Sequence, residues 1–120
     1  MLYKSYYILL TIFLVFALSG CDFLNNDDDN PDSNLIRIRD NNFDPPVLTV
    51  TVGRTVAWRN EGSNPHTVTS GSPTSSPGAL FDSGTLNNAG GFTFIFRETG
   101  SYQYFCRIHG AMMSGTIQVR

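Results

Sequence analysis

The sequence predicts an all-β domain, a sandwich or barrel of short strands. Three observations carry that expectation. Between Leu35 and Arg120, apolar residues recur at every second position in six separate runs. Clusters of Gly, Pro, Asn and Asp punctuate those runs. No segment in the same region sustains the spacing of an amphipathic helix.

The first run, LIRIRD at 35–40, sets Ile36 and Ile38 on one face and Arg37 and Arg39 on the other. Next, VLTVTV at 47–52 lines up Leu48, Val50 and Val52. RTVAWRN at 54–60 does the same with Val56 and Trp58. FTFIF at 92–96 aligns Phe92, Phe94 and Phe96, and SYQYFC at 101–106 aligns Tyr102, Tyr104 and Cys106. The last run, TIQVR at 116–120, aligns Ile117 and Val119. Successive strand side chains point to opposite faces, so each run gives one face to a core and one to water. Turn signals fall between them at NNFDPP, VGR, NEGSNP, NNAGG and ETGS. The aromatic members, Trp58, Phe92, Phe94, Phe96, Tyr102 and Tyr104, are expected in the core. Phe105 has the opposite parity, which makes it either part of a partner-facing surface or cover over a neighbouring strand. Residues 70–91 are the least legible. SGSPTSSPGAL reads as loop, LFDSG reads as a short strand or a helical turn, and Leu80 and Phe81 are expected to pack.

The N-terminal region has a different character. Lys4 precedes an apolar stretch from Ile8 to Leu18, interrupted only by Thr11, and small residues follow at Ser19 and Gly20. That is the layout of a secretory signal peptide, and the stretch is short for a membrane-spanning helix. Leu18-Ser19-Gly20-Cys21 resembles a bacterial lipobox, which implies cleavage after residue 20 and lipid attachment at Cys21. The competing readings are an ordinary cleavage site with an incidental cysteine, or a Cys21–Cys106 disulfide. Residues 21–34 then form the lipidated cysteine and an acidic, Asn-rich tether with no apolar periodicity. Residues 35–120 form the domain. The expected location is the bacterial cell envelope, with the chain exported and anchored by lipid.

Composition narrows the function. A length of 120 residues favours one small domain, and a net charge of −2 gives no reason to expect a nucleic-acid partner. A monomer is expected. Removing residues 1–20 takes away Lys4 and no acid, leaving a charge of about −3. With Cys21 lipidated, Cys106 is the remaining thiol. An unpaired cysteine in an exported protein needs a reason, and a bound metal supplies one.

The reason lies in YFCRIHGAMMSG, residues 104–115. It holds Cys106, His109, Met112 and Met113 within eight positions. Strand parity turns Cys106 inward, and Gly110 and Ala111 permit a bend that brings His109 back beside it. The other histidine of the chain, His66, lies in NPHTVTS about forty residues upstream, stiffened by Pro65. Two packed sheets can bring both loops to one end. The donor set is then two imidazoles, one thiolate and one thioether. Soft sulfur suits Cu(I) and imidazole also suits Cu(II), so this set is that of a mononuclear electron-transfer copper site.

YFCRIHGAMMSGTIQV resembles the C-terminal metal loop of the small blue copper proteins, the cupredoxins, which include plastocyanin, amicyanin and azurin. NNFDPPVLTVTVGRTVAWRNEGSNPHTV, FDSGTL and FRETGSYQYFC also have counterparts there, so the resemblance spans residues 35–120. It implies a Greek-key β-sandwich of about seven or eight strands and one type 1 copper ion. It also implies His66, Cys106 and His109 as equatorial ligands. For the axial ligand it offers Met112 or Met113, and the family's Met-x-Gly before the last strand selects Met113. Arg107-Ile108 stands where the family often has proline. The resemblance further implies one-electron transfer to a redox partner such as a cytochrome or a copper oxidase or reductase. Docking would use an uncharged rim of Ile108, Gly110 and Ala111 around His109. The alternative is a copper-sequestering or copper-delivering lipoprotein. Catalysis by the chain alone is not expected, because multicopper chemistry needs more histidines than two. Zinc suits Cys and His but gains nothing from the methionine.

Overall fold

Strand formation follows the alternating pattern closely. A computed structural model describes residues 33–120 of the chain. The expected leader, the lipid-bearing Cys21 and nearly all of the tether lie outside the described residues. Eight strands are present among the latter, and no helix. They are β1 (Leu35–Ile38), β2 (Phe43–Asp44), β3 (Val47–Val50), β4 (Thr55–Asn60), β5 (Thr69–Ser70), β6 (Gly91–Ile95), β7 (Gly100–Cys106) and β8 (Gly110–Val119).

Two four-stranded sheets result, with orders β2-β1-β4-β6 and β3-β8-β7-β5. The chain alternates between them from β2 to β7, giving a Greek-key β-sandwich. β1 and β4 run parallel, with Ile36 opposite Trp58. So do β3 and β8, with Leu48 opposite Ile117. The other pairings are antiparallel. Parallel neighbours need a crossover, and here each crossover is made by passing through the opposite sheet.

The inner faces come from the predicted parities. Ile36, Ile38, Val56, Trp58, Tyr104, Cys106, Ile117 and Val119 are buried together. Trp58 meets Tyr104 edge to face, with ring centroids 5.5 Å apart. Phe81 fills the space between Phe94, at 4.9 Å, and Trp58, at 5.8 Å. Aromatic pairs of this kind contribute about 0.5–1.5 kcal/mol each beyond area burial. Tyr104 lies directly over Gly115, where a Cβ would collide with the phenol ring.

Four sequence expectations are corrected. Val52 does not continue the inner face of β3. The strand ends at Val50, Gly53 turns the chain at φ +86°, and Val52 is exposed. Leu80 does not pack, being 49% exposed, whereas Phe81 is buried. LFDSG is neither strand nor helix: Asp82 forms an isolated bridge with Thr69, and Leu86 forms another with His66. Phe105 is no partner-facing residue. It is 3% exposed, paired with Thr69 and beside Ser72 and Pro73, so it is cover on the outer side of its sheet.

β8 starts far earlier than TIQVR suggested. A bulge allows this: Phe105 pairs with Ser114 while Cys106 pairs with Gly110, so Ala111–Met113 form the extra chain. Bulges re-aim side chains and cluster beside functional sites. Here the bulge leaves Met113 inward and Met112 outward.

Candidate metal centre

At one end of the sandwich, the chain leaving β4 passes through Glu61–Pro65 to reach His66. Asn60 organises that passage from a fully buried position. Its Nδ2 donates to the carbonyls of Asn64 and Leu86, both at 2.9 Å, and its Oδ1 accepts the Gly62 N–H at 2.9 Å. The Asp40 carboxylate takes the next two amides, Ser63 N–H at 2.7 Å and Asn64 N–H at 3.1 Å. His66 itself exchanges two backbone hydrogen bonds with Leu86, at 3.0 and 2.7 Å. The backbone that carries the ring is thus fixed on both sides.

Cys106 ends β7 with its sulfur fully buried. Its Sγ accepts the Thr67 N–H at 3.4 Å. The turn Arg107–His109 follows, and Gly110 at φ +71° reverses the chain into β8. A left-handed residue there suits glycine. The turn carries His109 back so that its Nδ1 lies 3.4 Å from Cys106 Sγ. His66 Nδ1 lies 3.8 Å from the same sulfur. The two imidazoles face each other with centroids 4.8 Å apart. One ligand atom from each of the three residues fits within 4.8 Å of the others.

A polar chain secures the cysteine loop from behind. The Arg107 N–H donates to Thr67 Oγ1 at 2.8 Å. That hydroxyl meets Thr69 Oγ1 at 3.0 Å, and Thr69 donates to Asp82 Oδ1 at 3.3 Å. The Arg107 guanidinium closes the circuit on Asp82 Oδ2 at 2.8 Å. Gly78, at φ +75°, leaves room for that guanidinium. Burial alone would raise the Asp82 carboxyl, but the Gly84 N–H, Arg107 and Thr69 outweigh it and hold the group below its ordinary value.

Electrostatics favour ligation at His66. Burial lowers its pKa below the ordinary histidine value, the neighbouring His109 lowers it further, and Asp40 opposes both. A neutral imidazole has a free lone pair to give a metal.

His66, Cys106 and His109 therefore meet, although His66 is forty residues from the others. Met113 is 1% exposed and belongs to the same buried cluster as Cys106. Met112 is 95% exposed. Ile108 is half exposed, and Gly110 and Ala111 lie beside it at the surface. Sequence reading missed Asn60, Asp40 and Asp82. Asn60 carried a usable signal, since it continues the inward parity of Val56 and Trp58 and a polar residue on a core face needs partners. Asp40 and Asp82 carried none, because the contacts that tie them to the site, Asp40 to Ser63 and Asp82 to Arg107, lie more than twenty residues apart in sequence.

The donor spacing fits a metal. Bonds of about 2.0 Å to nitrogen and about 2.3 Å to sulfur, at a trigonal angle, separate the two donors by about 3.7 Å. The observed 3.4 and 3.8 Å bracket that value. A buried thiolate with two imidazoles matches copper in either valence.

Comparison with known proteins agrees. The family model for copper binding proteins of the plastocyanin/azurin family matches residues 33–120. Plastocyanin of Scenedesmus fuscus is 36% identical over 84 residues, covering 65% of this chain and 86% of that protein. Among solved structures, a purple cupredoxin from Nitrosopumilus maritimus is similar, with a TM-score of 0.65 and 31% identity. The match covers 72% of this chain and 98% of that one. An oxidised amicyanin variant matches with a TM-score of 0.64 and 26% identity, over 73% of this chain and 82% of its own.

Proposed function

Since the chain belongs to the plastocyanin/azurin family of copper-binding proteins, we propose that it carries single electrons in the bacterial cell envelope, exported and tethered by lipid at Cys21. Copper-mediated electron transfer follows from the family, and the chain is a carrier and not an enzyme. Bound copper supplies one-electron chemistry between Cu(I) and Cu(II). His66, Cys106 and His109 would hold it, with Met113 as the further sulfur donor. Burial of Met113 in the same core cluster as Cys106 supports that choice over Met112, whose side chain is in solvent.

The single observation behind this reading is the buried Cys106 sulfur within 3.4 and 3.8 Å of two imidazole nitrogens. Its environment is already built. Thr67 donates to the sulfur, Leu86 and Asn60 fix His66, and the polar chain to Asp82 fixes the turn. A rigid holder suits a carrier, because little has to move when the charge on the ion changes.

Electrons would pass at His109, whose surroundings are apolar: Ile108, Gly110, Ala111 and the exposed Met112. An uncharged rim of this size suits brief encounters with a redox protein such as a cytochrome or a copper oxidase or reductase.

The test is spectroscopic. Copper-loaded protein should show an intense thiolate-to-copper absorption that bleaches with reductant and returns on oxidation. Cys106→Ser should lose it while keeping the β-sheet circular dichroism of the parent. Protein that takes up only Cu(I) and yields it to a chelator would instead indicate storage or delivery.

A further inference from the structure

His66 has two ring nitrogens, and only one faces the thiol. The other, Nε2, is buried and makes no hydrogen bond among the described residues. Buried polar atoms are rarely left so, and each exception calls for an explanation. Facing Nε2 at 4.0 Å is Asp40 Oδ1. Asp40 comes from the turn after β1, a different part of the chain from the loop that carries His66. It is held there by the Ser63 and Asn64 amides, which donate to the same carboxylate oxygen. Gly62 makes the approach possible, since a Cβ at that position would collide with the carboxylate. The neighbouring Arg39 does not neutralise this charge at contact distance, being engaged with Asp44 and Glu61 at 3.7 and 3.2 Å.

We propose that Asp40 is a positioning residue of the copper centre, placing a negative charge behind Nε2 of His66 and so favouring the ring proton on that nitrogen. The inference rests on the copper reading above. Its chemistry is simple. A neutral imidazole carries one proton, and the ring ligates through Nδ1 only when that proton is on Nε2. A carboxylate beyond Nε2 favours that tautomer and strengthens the nitrogen as a ligand, as outer carboxylates do for metal-bound histidines generally. At 4.0 Å the influence of Asp40 on the ring is that of a nearby charge, and the two amides keep that charge in place. A negative charge behind the ring also favours the more highly charged cupric ion, which lowers the reduction potential.

Two substitutions separate this role from mere capping of the loop. Asp40→Asn keeps a carbonyl for the Ser63 and Asn64 amides and removes the charge. Asp40→Ala removes both. In the copper-loaded protein, Asp40→Asn should lower the ratio of Cu(II) to Cu(I) affinity by about tenfold, a rise in potential of about 59 mV for one electron. In the copper-free protein, nitrogen NMR of the His66 ring should show the Nε2-protonated tautomer in the parent and a mixture of tautomers in Asp40→Ala. A parent-like potential in Asp40→Asn overturns the proposal, and so does a parent-like tautomer in Asp40→Ala. If Asp40→Ala does not fold, the Asp40→Asn potential decides alone. The NMR comparison needs no copper. A parent protein that fails to take up copper would therefore refute the copper reading without deciding the tautomer.

Discussion

Met112 and Met113 are adjacent in sequence and opposite in environment, and the bulge opposite Cys106 is the cause. The extra residues Ala111–Met113 let β8 begin at Gly110 while keeping Met113 on the inner face with Ile117 and Val119. An axial thioether stabilises Cu(II) more than an aliphatic side chain does, and axial identity tunes blue-copper potentials. Met113→Leu should therefore raise the reduction potential, by about 60 mV if the affinity ratio changes about tenfold. Met112→Leu should leave it unchanged. Cyclic voltammetry on both variants checks this, and the reverse pattern would move the axial role to Met112. Much at this scale was readable beforehand. The chain has only two histidines, and both fall where a copper ligand is needed. What sequence did not reveal was the support around them. Asn60, Asp40 and Asp82 are common polar residues, and only folding brings them to Gly62, Asn64, His66 and Arg107.

Among the elements, period two was legible wherever a strand was long enough to repeat. β4 and the second half of β8 show the inner parity clearly, with Val56, Trp58, Ile117 and Val119 all buried. β5 could not be read, because two residues hold no period. Residues 71–86 were equally opaque. Their structure comes from distant partners, as when Ser70 Oγ accepts the Leu80 and Phe81 amides at 2.9 and 3.0 Å. The same loop supplies Asp82, which gives it a pH signature. In the folded protein Asp82 titrates below its ordinary value of 3.8. Its contribution to stability is therefore full above that value and disappears as pH falls through the lowered one. Asp82 is partly exposed, so the contribution is no more than about 1 kcal/mol after screening. Asp82→Asn should be less stable than the parent at pH 6, with the difference shrinking steadily as the pH is taken down below the ordinary carboxylate range. Urea unfolding of the copper-free proteins across that range measures it. A difference that does not shrink with acidification would show that packing, not charge, holds the loop.

Across the whole molecule, charge is divided sharply. Residues 21–34 contain five aspartates and no base, whereas residues 35–120 contain seven arginines and five acids. Residues 35–120 by themselves are therefore about +2 at neutral pH and residues 22–120 about −3. A fragment of residues 35–120 should bind a cation exchanger at pH 7, and a fragment of residues 22–120 an anion exchanger. Identical behaviour of the two would mean that the tether aspartates are not ionised and free in solution. The division matters for encounters, because charge of either sign sets how a molecule meets its partners.

The pairing of β8 with both β3 and β7 has one more consequence. A ribosome delivers β8 after β3 and β7, and until it arrives those two strands have no neighbour between them. His66 and Cys106 are synthesised earlier, but the bend that returns His109 and the bulge that turns Met113 inward form only once β8 is free to pair. On the copper reading, a nascent chain not yet extended through β8 would offer the ion nothing better than loose, separately reactive donors.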